Sequence, residues 1–288
     1  MNIKTKQSAT EFEMNQLPHN RKQVFWDVIK LHWRMLLVLS LVLLIGLLPL
    51  LTCLFLRDQY ALILTSRVNA GSMSPEDRLA TLKVAYLICA GACWLCLYIF
   101  AIAVCIVLRF IRQLIWYEPI FIKEDISTGL KNGYKGAAIC ATFAGIIIVV
   151  HRLMLFVSDN VFVQIIPVAI FIPFIALPLL LAFIQSTIYI GSFSQMIKNA
   201  IAMYIKEAPI VLLFGLLLLS PLLFSIMEQF IIVKYIVVVV YIYLFEVAFI
   251  MMFSLGANHI FDKYINKEQF PQMYKKGLYV EPNKKTEV

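Results

Sequence analysis

The stretch MLLVLSLVLLIGLLPLLTCLFL, Met35–Leu56, decides the fold. It carries no charge and is as long as the roughly 17–25 apolar residues that a helix needs to cross about 30 Å of hydrocarbon. Five further blocks meet the same requirement: Val84–Leu108, Gly136–Val157, Val161–Ile184, Pro209–Met227 and Ile231–Leu255. The expected fold is therefore all-α: a polytopic membrane protein with six transmembrane helices. The whole 288-residue chain agrees, being 61% hydrophobic and only 15% charged, which places it outside the soluble globular class.

A formal net charge of +8 would suit nucleic acid, but the positions of the charges exclude that reading. The N-terminal tail through Arg34, the 109–135 and 185–208 connections and the C-terminal tail hold 19 of the 25 Lys and Arg residues. The other side holds Arg57, Arg67, Arg78, Lys83, Arg152 and Lys234. By the positive-inside rule both termini and the two basic connections are expected in the cytoplasm, where the lipid bilayer itself attracts them. The first block follows 34 largely polar residues with no small-residue cleavage site after it, so it reads as a retained anchor. The organisation expected is a tail over 1–24, a six-helix membrane domain over 25–257 and a cytoplasmic tail over 258–288.

Ser158-Asp159-Asn160 and Glu228-Gln229-Phe230 are short connections and predict helical hairpins. Arg57–Lys83 is the one long outward connection, and its run from Asn69 to Pro75 reads as a polar loop. Ser74-Pro75-Glu76-Asp77 has the form of a helix N-cap with proline in the first turn and acids behind it. Three segments with an aliphatic–Lys pair feed the outward-going helices, around Lys30, around Lys131-Asn132 and around Lys198-Asn199. They suggest three hairpin units, each led by a cytoplasmic interfacial helix, with the second and third copies most alike. Trp26, Trp33, Trp116, Tyr117, Tyr134 and Tyr204 stand at these inner boundaries as interfacial aromatics. Trp94, by contrast, is mid-block and reads as packing.

Glu246 is the sharpest candidate for function. It lies about 14 Å into the sixth block, where an ionised carboxylate is costly, so it should face the bundle. Tyr243, three residues earlier, is placed to donate a hydrogen bond to it. The pair reads either as a polar tie between helices or as a proton or substrate site. Pro167, Pro173 and Pro178 predict a bent fourth helix. Gly136, Cys140 and Ala144, with Ala137, Ala141 and Gly145, form small-residue stripes that admit a close neighbour. Cys89, Cys93 and Cys96 share a helix face, but small-residue packing accounts for them without a metal. No HExxH, Gly-x-Ser-x-Gly or P-loop pattern occurs, so no catalytic residue and no cofactor is expected. The 109–135 connection also lacks the Glu-Ala-Ala…Gly pattern by which importer permeases dock an ATPase.

Four further marks carry a family likeness. They are Gly46-Leu47-Leu48-Pro49 toward the end of the first helix; Tyr117-Glu118-Pro119-Ile120-Phe121 with Asp125 and Gly129-Leu130-Lys131-Asn132; Ser194 with Lys198-Asn199-Ala200; and Phe261-Asp262-Lys263-Tyr264-Ile265-Asn266-Lys267 running on to Pro271 and Lys276-Gly277-Leu278. From Phe25 to Leu278 the chain resembles the YesL-like family of bacterial membrane proteins. The resemblance implies six helices, the plasma membrane of a Gram-positive bacterium and an association with carbohydrate uptake. It supplies no catalytic residues. The function expected is a non-enzymatic accessory or assembly partner of a carbohydrate transport system, with ABC-type sugar transporter components as the partner class. Lys131, Asn132, Lys198 and Asn199 would dock the partner, although lipid anchoring explains them equally. The alternatives are a small-solute transporter using Glu246 and a membrane-bound enzyme of lipid or cell-wall metabolism.

Overall fold

The computed structural model describes residues 17–157, 160–189, 191–218, 220 and 231–279. Nine α-helices occur among them: α1 Arg21–Asn69, α2 Pro75–Trp116, α3 Ile122–Val157, α4 Val161–Phe171, α5 Leu177–Ile188, α6 Phe193–Leu218, α7 Ile231–Tyr241, α8 Val247–Phe261 and α9 Lys267–Gln269. π-helical turns at Ile172–Ala176, Ile242–Glu246 and Asp262–Asn266 join α4 to α5, α7 to α8 and α8 to α9. Six helical segments are long and apolar enough to cross a membrane. The protein is an all-α, multi-pass membrane protein in contact with the lipid bilayer.

Local chemistry starts and bends these helices. The Asn20 side chain accepts from the Gln23 N–H and opens α1. Ser74 does the same for α2 through the Asp77 N–H at 3.0 Å, with Pro75 in the first turn and Glu76 and Asp77 behind it. In the fourth span Pro173 sits within the π-turn and Pro178 follows it. Prolines there remove donors and crowd the carbonyl four residues back, so the backbone widens until the Leu177 N–H reaches the Ile172 carbonyl five residues away.

Two features differ from the sequence expectation. Most of Arg57–Lys83 is helix, with only 70–74 between α1 and α2. Leu64 and Leu82 are buried, and Arg78 Nη2 donates to Thr65 Oγ1 at 2.9 Å across the pair. The two helices thus zip together past the end of the apolar block. They form an arm that runs roughly 18 Å beyond Arg57. The second difference concerns the lead-in segments. Kinks at His32 (φ −122°, ψ 21°) and at Glu207 (φ −124°, ψ 28°) set off the first and third copies. The Glu207 kink stands two residues before Pro209, which disfavours helix just ahead of it. The second copy, around Lys131, is helical but runs straight on within α3. The kinks fall at different places, inside the first segment and beyond the end of the third, so the three lead-ins do not share one geometry. The turn at Glu228-Gln229-Phe230 and most of that at Ser158-Asp159-Asn160 lie outside the described residues.

The bundle is built around α2, which packs against both α1 and α3, while α5 lies against α3 and α6, and α8 against α6 and α1. The small-residue stripes do the work expected of them. Ala137 and Ala141 are buried, and Gly145 lies directly against the Trp94 ring, where an added Cβ would come within 2.0 Å of Cδ1. Beyond Leu255 the chain stays helical to Gln269.

Candidate functional site

The end of the bundle where α1 begins and the chain after α8 packs is closed by buried polar contacts. Asp262, on the π-turn after α8, accepts Arg21 Nη2 at 2.7 Å, Asn266 Nδ2 at 2.8 Å and the Lys275 N–H at 3.1 Å. Asn266 in turn accepts the Tyr189 hydroxyl at 2.5 Å, and the Tyr189 ring packs against Phe261 and Phe270. Burial, followed by the nearby Asp262 carboxylate, pushes the Tyr189 hydroxyl well above its ordinary range. Arg21 Nη1 also donates to the Lys276 carbonyl at 3.2 Å, and the Tyr279 N–H to the Pro18 carbonyl at 3.0 Å. The segments 18–21 and 262–279 are thereby clasped together.

The 117–125 connection joins the same cluster. Glu118 pairs with Lys276 and, at 3.5 Å, with Arg112, while both cations lie over the Trp116 ring. Asp125 is buried and accepts from Gln113 at 2.6 Å, Arg109 at 3.1 Å and the Phe121 N–H at 2.7 Å. Gly277 closes the fit. Its φ of +78° suits glycine, and an added Cβ would stand 2.5 Å from the Ile115 carbonyl oxygen. On α6, Glu207 accepts Lys263 at 2.6 Å and Tyr264 at 2.8 Å.

Outside this cluster the four candidate docking residues stand exposed. α3 buries Gly129, Gly133 and Ala137 and turns Lys131 and Asn132 outward. α6 buries Met196 and Ala200 and turns Lys198 and Asn199 outward. The post-membrane run from Phe261 to Leu278 packs on its own protein, through Asp262, Asn266 and Lys276. Asp262, Asn266, Glu118 and Lys276 were legible only as charged or polar residues near the membrane, because their partners lie far away in the chain. The four-residue spacing of Asp262 and Asn266 on one helix face was the available signal.

No family model, no curated protein and no solved structure matches this chain.

Glu246 is buried as expected and ends the π-turn Ile242–Glu246, which packs against α1. Its Oε2 has no partner among the described residues, and no hydrogen bond there joins it to Tyr243. The π-turn is the physical reason: widening the helix rotates residues three apart away from a common face. Nearer the far end, Cys53, Cys89, Cys93 and Cys96 gather between α1 and α2 as free thiols, with Sγ–Sγ separations of 3.8 Å for Cys53–Cys96 and Cys89–Cys93. At that end Asp58 bridges Arg57 and Lys234 and accepts the Tyr235 hydroxyl at 3.2 Å. This pairing spans 176 residues. Its only sequence trace was one acid closing the first block and one lysine opening the sixth.

Proposed function

We propose that the protein is a non-enzymatic accessory or assembly partner of a membrane transport system, with ABC-type sugar transporter components as the partner class. One observation carries the reading: the face closed by the Arg21–Asp262 contacts is packed and cross-linked, and beside it Lys131, Asn132, Lys198 and Asn199 stand outward on α3 and α6, which both pack against α5. Such a surface suits docking, because the helices that carry the exposed residues are held in place before a partner arrives. The resemblance to the YesL-like family supports the same reading. Glu118, Asp125, Asp262, Asn266, Lys276 and Gly277, which carry that resemblance, are the residues that build the surface. The proposed setting is the plasma membrane of a Gram-positive bacterium, with this face in the cytoplasm.

The test is affinity purification of the full chain in mild detergent. A transport component is expected to co-elute with the wild type. It should be lost from the double charge reversal Lys131→Glu and Lys198→Glu, with membrane insertion unchanged. Wild-type protein that purifies alone, and by itself moves solute in proteoliposomes, would overturn the proposal.

A second reading, a small-solute transporter, is favoured by the unpartnered Glu246 oxygen on a π-turn, a deformation frequent at functional sites. Glu246→Gln separates the two. The accessory reading expects normal expression and an unchanged uptake phenotype, whereas a transporter that cycles protons loses activity with the titrating group.

A further inference from the structure

We propose that the end of the bundle opposite the Arg21–Asp262 contact binds an anionic amphiphile, a phosphate-headed lipid whose acyl chain lies along a cleft between α1 and α2. Charge and shape coincide here. Arg57, Arg152 and Lys234 converge around one carboxylate, Asp58, and one ring, Tyr86. Lys234 and Arg57 both pair with Asp58, and Tyr235 adds its hydroxyl. The Arg57 and Arg152 guanidinium carbons lie 5.5 and 5.3 Å from the centre of the same Tyr86 ring. The ring holds the two cations close together through its electron-rich face. Lys234 is buried, and Arg57 and Arg152 are half-buried.

Among the described residues this leaves three cations against one acid, all of them buried or half-buried. Uncompensated charge in such surroundings is expensive, so the arrangement calls for a counter-anion. Arginine is suited to supply both charge and directed donors to a phosphate. Arg57 also forms part of the wall of a cleft of about 930 Å³. The rest of that wall is mostly apolar, with Leu56, Tyr60 and Ile63 from α1 facing Val84, Ala85 and Ile88 from α2. Leu56, Val84 and Ile88, near the level of Arg57 or inside it, are all strongly exposed, so that part of the cleft opens sideways to lipid. Arg57 stands at the end of the first apolar block and Lys234 near the start of the sixth, at the depth where headgroups lie. A cationic end joined to an apolar groove matches a ligand with an anionic head and a hydrocarbon tail.

The experiment uses the full chain purified in mild detergent, analysed by native mass spectrometry. The added ligands are phosphatidylglycerol, phosphatidylcholine with the same acyl chains, and glycerol phosphate alone. The wild type is expected to retain the anionic lipid over the zwitterionic one by roughly tenfold or more, from the combined pull of the excess cations. Arg152→Gln should lower that ratio about fivefold. Ala85→Leu, which narrows the cleft and leaves every charge in place, should reduce retention of both lipids and provides a second measure if Arg152→Gln fails to fold. Equal retention of the two lipids by the wild type overturns the proposal; it is the result expected if Asp159 and Glu228, outside the described residues, neutralise the cluster. Binding of glycerol phosphate as strong as that of phosphatidylglycerol overturns the amphiphile in favour of a simple anion.

Discussion

Tyr189 shows how much rests on single side chains at the clasped face. Its hydroxyl donates to Asn266, Asn266 donates to Asp262, and Asp262 receives Arg21, so one phenol stands at the end of a chain of hydrogen bonds joining three segments. Tyr189→Phe leaves the Asn266 oxygen without this donor, at an expected cost of about 1–3 kcal/mol. The same residue sets an alkaline limit. Burial and the Asp262 charge raise the folded-state value of the hydroxyl, so the native fold favours the protonated form more than the unfolded chain does. That stabilisation is complete below the ordinary tyrosine range near about 10 and drains away as pH rises above it. Thermal midpoints measured at about pH 8 and about pH 10.5 should therefore fall more steeply for the wild type than for Tyr189→Phe. An equal fall in both would show that Tyr189 is not a source of the alkaline sensitivity.

Among the helices, the contact of α2 with α3 is set by one missing side chain. Gly145 lets the Trp94 ring lie where a Cβ would stand, within 2.0 Å of Cδ1. Gly145→Ala must push the ring or the helix aside, and overpacking of this kind costs about 1–3 kcal/mol. The thermal midpoint should drop, and Trp94→Phe in the same chain should recover part of the loss; no recovery would place the strain elsewhere. The stripe containing Gly145 was visible in the sequence, because small residues four apart announce a close neighbour whatever that neighbour is. So were the six spans, the Ser74 cap and the bend forced by prolines, all of which follow from residues near one another in the chain. The π-turn at Ile242–Glu246 was not, since no proline or glycine marks it, and with it went the expected Tyr243–Glu246 bond. Nor was the arm of α1 and α2, because the charges at Arg57 and Asp58 look like the end of a helix until Lys234 is seen to neutralise part of them. Long-range pairing of this kind leaves almost no local trace.

For the molecule as a whole, the asymmetry of basic residues and the position of the clasp bear on orientation together. Pro18 and Tyr279 lie together at the end that the positive-inside rule assigns to the cytoplasm, and the arm extends from the other end. Cysteines introduced at Ser72 or Gln269, in a background without the six native ones, report this directly, since both positions are exposed. An impermeant thiol reagent applied to whole cells should label Ser72→Cys and spare Gln269→Cys; the opposite pattern would invert the orientation. The clasp also has a consequence in time. Arg21 belongs to α1, the first of the described helices, yet its partner Asp262 is 241 residues further on. At typical synthesis rates of about 5–20 residues per second, the first helix waits roughly 12–50 s before that bond can form. Insertion and closure are thus separate events, and the nascent chain spends that interval with a cationic first helix available to any acidic surface nearby. The wait ends once Asp262 has emerged, so closing the clasp depends on synthesis having passed that residue.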